Sequence, residues 1–488
     1  MKGRTNISGG QLTLNATTEE FQVAGGQSIT AGNFVQYEMK ENMEKYDENS
    51  SYHNYFYSSD DVGKVVFCGN DRYILRYANK NERYNFIFNL IDVRDGFHVL
   101  SVFSIKSSYG ITPAFCLLND GNIAIAYGNK DIVVEIYRIE SEFELIRNYE
   151  ISTSGSGGSV RDIVQLGNSK IIISMYKDIV ICDYENGTIE NNREILNILG
   201  DISSLSVSNV RSGNLFPDGE NRFFLYGVNG NNGVYSDTLF LFEENSNEVK
   251  KIDEIRMSGS GRPNSALWGN ISSVNGKVLY SLGDSSNETS LAKDYYLTKI
   301  YYSNAEKISV TAGIDLLQNV RSSFSDLENY ESLFTKTDKR YSSGTAQYVK
   351  ENVFYAAVLP LYSGINKYSR TAIFRVEYDE KLKRFRTSNV VTFETGQAGY
   401  YGYRSGYGFF FESSSGDAYY LYETASSEPY DYDKTGRYLL KMTYKSGVLE
   451  IGENTGYIEN YTGKAAIGVA KQSGTAGQRI EVYIPKEE

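Results

Sequence analysis

The chain has 488 residues, of which 41% are hydrophobic and 23% charged, enough to bury a sizeable core and too apolar for wholesale disorder. Its net charge of −12 comes from 49 basic and 61 acidic residues. No long basic run interrupts that excess, which argues against nucleic acid or an anionic membrane as the main partner.

Residues 1–20, MKGRTNISGGQLTLNATTEE, are polar and rich in Gly, Thr and Asn. They read as a docking arm and lack the apolar core of a secretory signal. In EEFQVAGGQSITAGNFVQYEMK, Phe21/Val23 and Phe34/Val35/Tyr37 flank Gly-rich turns. A polar, tyrosine-rich linker follows, so residues 1–60 are expected to hold the arm, a ring-closing strand and a surface linker.

From residue 61 onward the pattern repeats. Gly121 to Glu140, GNIAIAYGNKDIVVEIYRIE, holds two β-branched runs around Gly128–Asp131 and reads as a hairpin. Related first strands begin near Asp71, Gly121, Ser169, Asn221, Gly276, Asn352, Tyr407 and Gly463, with spacings of 50, 48, 52, 55, 76, 55 and 56 residues. Each is followed by a partner strand, the last being RIEVYIPKE. A period near 50 with about four strands per unit is the signature of a β-propeller. The expected fold is therefore all-β over residues 61–488, with eight blades, or seven if one pair belongs to a flanking hairpin. No sequence remains after RIEVYIPKEE for an outer strand, so residues 20–38 are the expected donor that closes the ring.

Connections lengthen from the fourth unit on, as in NGNNGVYSD and MSGSGRPNSALWGN. The 76-residue spacing contains residues 312–340, where Leu316, Leu317, Val320, Phe324, Leu327, Tyr330 and Leu333 recur at three- and four-residue steps. That spacing predicts a helical insertion. Units six and seven carry the densest aromatics, YYGYRSGYGFFF, AYYLYE and EPYDYDKTGRY.

GGQSITAGNFVQY resembles the "I-x-A-G-D/N-F-V" stretch near the start of many tail-associated proteins of bacteriophages of Gram-positive hosts, in which a Gly-rich leader precedes repeated short strands. The resemblance implies a virion or tail-like particle component, made in a bacterial cytoplasm without a secretion signal. Its implied partners are other virion or tail proteins through the N-terminal arm, and a carbohydrate or protein of the host surface.

No catalytic constellation is legible. The two histidines, His53 and His98, stand apart from any Ser or Cys elbow and from any cysteine at metal-ligand spacing. SGSGR, Ser258 to Arg262, is followed by Pro263 and reads as a loop. YDYDKTG, Tyr430 to Gly436, and Asp60–Asp61 offer oxygen ligands without EF-hand spacing. One tryptophan, Trp268, excludes a set of sialidase boxes, and Trp-Asp repeat endings are absent. Cys68, Cys116 and Cys182 lie on apolar runs and read as buried, inert thiols. Neither cofactor, metal nor membrane insertion is expected. Catalysis is not expected either, the alternatives being a polysaccharide-degrading tail enzyme and a purely structural decoration protein.

What remains is surface recognition by a repeat protein with 42 tyrosines. Tyrosine makes rigid contact surfaces with an apolar ring and a wet hydroxyl. The candidate contact residues are Tyr400, Tyr401, Tyr403, Tyr407, Tyr430 and Tyr432. Packing between strands is the competing role for each.

Overall fold

Alternation of β-branched and aromatic residues, broken every 5 to 10 residues or so by Gly, Asn or Asp turns, leaves the chain little choice but antiparallel meanders. A computed structural model of the chain describes residues 16–40, 43–47 and most of 63–485. The longest connections outside that description are 197–209, 257–270, 283–296, 326–341, 361–369, 395–407 and 425–435. The protein is all-β. The only helical element bounded among the described residues is a 3-10 turn at Arg321–Phe324.

Contacts divide the chain into two compact units, one of Met1–Met43 with Lys441–Glu488, the other of Glu44–Leu440. Seven meander sheets follow one another over residues 64–106, 114–152, 160–196, 210–256, 271–310, 342–387 and 408–451, here numbered one to seven. In each, four strands pair in chain order. Sheets five, six and seven gain a fifth strand, from Ile314–Asp315, Val391–Glu394 and Met43–Asp47 respectively.

Within the larger unit, the first strands touch their successors in order from sheet one to sheet seven. Sheet seven returns to sheet one, where Tyr73 bonds to Glu412, so the circuit of contacts closes. The second strand of sheet two, Ile123–Gly128, shows how both faces of a sheet are buried. Ile123 and Ile125 pack with Phe86, Phe88 and Leu90 of sheet one, whereas Ala124 and Ala126 pack with Ile171 and Ile173 of sheet three. Ile172, pointing the other way, packs with Phe223 and Leu225 of sheet four. Large residues on one face and small ones on the other fit neighbouring sheets that cannot bury their faces alone.

The expected eighth unit folds differently. Arg479–Pro485, within RIEVYIPKE, pairs antiparallel with Ala16–Val23 over seven residues, from Ala16↔Pro485 to Gln22↔Arg479. With Glu453–Asn460, Phe34–Lys40 and Gly468–Ala470 these strands make a closed barrel. Val23, Ile29, Val35, Ile458, Ile480 and Val482 fill it. The expected union of N-terminal and C-terminal strands is present, but residues 20–38 serve this separate core and not a ring. The strand laid on sheet seven is Met43–Asp47. In the expected helical insertion, Val320 and Phe324 of the 3-10 turn pack on Phe354 and Phe374 of sheet six. Leu327, Tyr330 and Leu333 lie outside the described residues.

Gly468 marks the tightest approach in the barrel, because a Cβ there would stand 2.2 Å from the Tyr483 carbonyl oxygen and 2.7 Å from Val482 Cγ1. Gly468→Val should lower stability by about 1–3 kcal/mol through overpacking, read as a lower denaturant midpoint for the barrel. An unchanged midpoint would mean that the strands are not this close.

Candidate functional site at the aromatic end of sheet seven

The two ends of the sheets differ. At one end, first and second strands are joined by short connections in all seven sheets, for example 70–71 in sheet one, 218–221 in sheet four and 413–416 in sheet seven. At the other end, second and third strands are joined by 129–130, 176–178 and 232–233 in sheets two to four, and by 79–84 in sheet one. In sheets five, six and seven the corresponding connections are 283–296, 361–369 and 425–435. Long connections between strands are where binding residues concentrate.

Sheet seven fixes the anchors of two of these segments. Its first strand, Gly408–Glu412, pairs with Asp417–Thr424 so that Gly408 lies opposite Tyr422. Residues 395–407 therefore arrive where 425–435 depart. Tyr400, Tyr401, Tyr403, Tyr407, Tyr430 and Tyr432 all belong to these two segments and lie outside the described residues. Gly408 is required at the junction, since a Cβ there would meet the Tyr420 ring at 2.4 Å and the Leu421 carbonyl oxygen at 2.6 Å.

Beneath these anchors runs a column of stacked rings. Tyr355 of sheet six stacks on Phe410 at 5.1 Å, Phe410 on Tyr420 at 4.3 Å, Tyr420 on Tyr422 at 5.4 Å and Tyr422 on Tyr438 at 5.9 Å. Phe393 meets Tyr422 edge-on at 5.2 Å. Each such pair is worth about 0.5–1.5 kcal/mol beyond the area it buries, so the column stiffens the end that carries the tyrosine-rich segments. Burial holds the Tyr422 phenol above its ordinary range and keeps it neutral.

The inner end of the column is tied to a buried ionic centre. Glu412 is 3% exposed. Its Oε2 accepts from the Tyr355 hydroxyl at 2.6 Å and from Arg375 Nε at 2.9 Å, and its Oε1 accepts from a second Arg375 nitrogen at 3.2 Å. Lys350 Nζ stands 3.4 Å from Oε1 and donates to the Ser413 carbonyl oxygen at 2.6 Å. Burial alone would lower the Arg375 pKa, but its bonds to Glu412 outweigh that and hold it well above the ordinary arginine value. Both oxygens of the carboxylate are engaged by sheet six, so the centre positions strands.

A second polar tie links first strands elsewhere. Lys64 Nζ of sheet one donates to the Phe115 carbonyl oxygen of sheet two and to Asp162 Oδ1 of sheet three, both at 3.0 Å. Asp162 Oδ2 accepts the Leu215 amide of sheet four at 3.0 Å. Gln347 of sheet six exchanges two bonds of 2.9 Å with the Phe410 backbone.

Among the described residues, no group of three or more His, Cys, Asp or Glu could hold a metal ion. Burial pushes the thiols of Cys68 and Cys116 up to about 12, far above where a thiolate nucleophile would form at neutral pH. His98 is exposed and stands 3.7 Å from Asp95. Sequence reasoning missed Glu412, Arg375 and Tyr355. The available signal was a charge set inside an apolar run, in FFFESSS and TAIFRVEY.

No family model matches the chain, and no curated protein matches its sequence. Solved structures of similar arrangement include polysaccharide lyase Uly1, 11% identical, covering 87% of this chain and 100% of that one, with a TM-score of 0.43. A post-proline cleaving enzyme from Rickettsia typhi is 11% identical, with a TM-score of 0.38, over 86% of this chain and 55% of that one. The tail fiber of Staphylococcus aureus phage P68 is 9% identical, with a TM-score of 0.24, over 84% and 95%. Likeness at this level carries no conclusion about activity or partner.

Two outcomes test the site's scaffold. Arg375→Met should cost about 3–5 kcal/mol because the buried Glu412 carboxylate loses both guanidinium bonds and keeps as a cation only Lys350 at 3.4 Å, and adding Glu412→Leu should recover part of that loss in a double-mutant cycle. Additive losses in denaturant unfolding would show that the two groups act separately. In sheet one, the Arg94 and Arg72 guanidiniums hold the Asp92 carboxyl down to about 2. A depressed carboxyl stabilises the fold above its unfolded value and loses that contribution as pH falls through its folded value. Asp92→Asn should therefore flatten the acid limb of stability between about pH 4 and 2, and an unaltered limb would contradict the assignment.

Proposed function

We propose that the seven sheets are the blades of a β-propeller and that the protein is a non-enzymatic component of a virion or phage-tail-like particle. On this reading it is exposed on the particle and recognises a bacterial surface through the tyrosine-rich segments 395–407 and 425–435. The observation that carries the reading is the one-sided build of the sheets, with short turns at one end and long connections of sheets five to seven at the other. Tyrosine-rich segments whose flanking strands carry a stiff aromatic column suit contact with carbohydrate or protein. The resemblance of GGQSITAGNFVQY to phage tail-associated leaders supplies the particle setting. Those residues now fall in and around the barrel strands Ser28–Ile29 and Phe34–Lys40. The barrel is the proposed docking module toward other virion proteins.

Many copies on one particle facing a repetitive surface would make weak single sites sufficient, because linked binding raises the effective concentration at the second site. Purified full-length protein, clustered on beads, should bind intact cells of susceptible Gram-positive strains and not resistant ones. Replacing Tyr400, Tyr401 and Tyr403 together with serine should lower that binding by about tenfold or more, each lost aromatic contact being worth roughly 0.5–1.5 kcal/mol. Binding confined to particles would instead make it a decoration protein. Release of reducing sugar from surface polysaccharide, abolished by one acidic substitution, would make it an enzyme.

A further inference from the structure

Six of the junctions in the circuit join sheets that follow one another in the chain. The seventh joins the last sheet to the first, and its contacts converge on one side chain. Tyr73, on the second strand of sheet one, is fully buried. Its hydroxyl donates to the Glu412 carbonyl oxygen at 2.7 Å and accepts from the Glu412 amide at 3.1 Å. A phenol thus serves as both halves of a backbone rung, on the edge of a first strand whose other edge pairs within its own sheet. The Tyr73 ring stands edge-on to Phe411 at 5.3 Å. Phe97 leans on Phe411 at 5.2 Å and Tyr419 at 5.5 Å, and Ser414 Oγ donates to Asp71 Oδ2 at 2.7 Å. The side chain of Glu412 is meanwhile gripped by Tyr355 and Arg375 of sheet six.

We propose that Tyr73 and Glu412 form a latch at the junction of sheets one and seven, a contact that can open locally while the other junctions and the barrel stay folded. One oxygen atom carries both backbone bonds, so its removal frees a buried amide and a buried carbonyl together. Sheet seven stays fastened to sheet six through the Glu412 carboxylate, and opening is confined to the side facing sheet one. Cooperative units of this size open below the global unfolding limit.

Native-state hydrogen exchange on the full chain tests this. Tyr73→Phe keeps the ring and deletes the oxygen. The Glu412 amide, with those of Lys64–Gly69, should exchange about tenfold faster or more, while the Phe410 amide, held by Gln347 of sheet six, should not. Amides of Ile171–Ile173 in sheet three and of Val482 in the barrel should keep their rates. Ser414→Ala, a milder change on the same junction, should accelerate the same amides about threefold, and it decides the matter if Tyr73→Phe does not fold. Equal acceleration throughout the molecule, or an unchanged Glu412 amide, would overturn the latch.

Discussion

Taking the Glu412 carboxylate out of water costs several kcal/mol unless its lone pairs are filled. The structure fills them from sheet six, with Tyr355 and Arg375, while the backbone of the same residue is filled from sheet one by Tyr73. Three sheets are therefore placed by one residue. The register of the first strand of sheet seven depends on it, and with that register go Gly408 and the anchors of both tyrosine-rich segments. A hydrophobic residue at this position would pack but would not select one arrangement of the three sheets. Here a buried charge is read as a device for specificity more than for raw stability.

The same physical need recurs wherever sheets meet by their first strands. Each of these strands pairs on one side only within its own sheet, so its outer amides and carbonyls need partners from beyond that sheet. Unfilled, such groups are costly. Asp162 on the Leu215 amide, Lys64 on the Phe115 carbonyl and Gln347 on both groups of Phe410 are different answers to that one demand. The second and third strands supply the apolar cores between sheets, whereas the fourth strands of sheets one, two and six are largely exposed. Polar side chains thus set direction where strands converge, and aliphatic ones supply most of the burial.

Much of the sheet architecture was legible because it is local. IAIAYG and KIIISM declare their strands by composition, and NDGN and PDGEN declare their turns. What was not legible is partner choice. GKAAIGVAK and RIEVYIPKE have the same alternation as the units before them and do pair with each other, yet they also pair with residues more than 400 positions earlier, and alternation carries no address. The helical spacing of residues 312–340 is met at Val320 and Phe324, where the described residues form a 3-10 turn whose side chains pack on Phe354 and Phe374. Glu412 and Arg375 could have been suspected as charges inside apolar runs. Their mutual pairing, 37 positions apart, is set by the stacking of two sheets and has no sequence period. The tyrosines singled out for contact fall in segments whose ends, but not course, the strands define.

The barrel has a consequence for the order of events during synthesis. Its strand Ala16–Val23 leaves the ribosome long before its partner Arg479–Pro485 exists, so an apolar strand made early waits for one made much later. Every meander, by contrast, finds its partners within a few dozen residues and can form as it emerges. Domains generally fold as they are made, N-terminal parts first, and here the N-terminal segment is the exception. A chain that stalls before residue 479 would carry finished sheets and an orphaned leading strand, its Phe21 and Val23 uncovered. Synthesis through residue 485 is thereby needed before Phe21 and Val23 are covered.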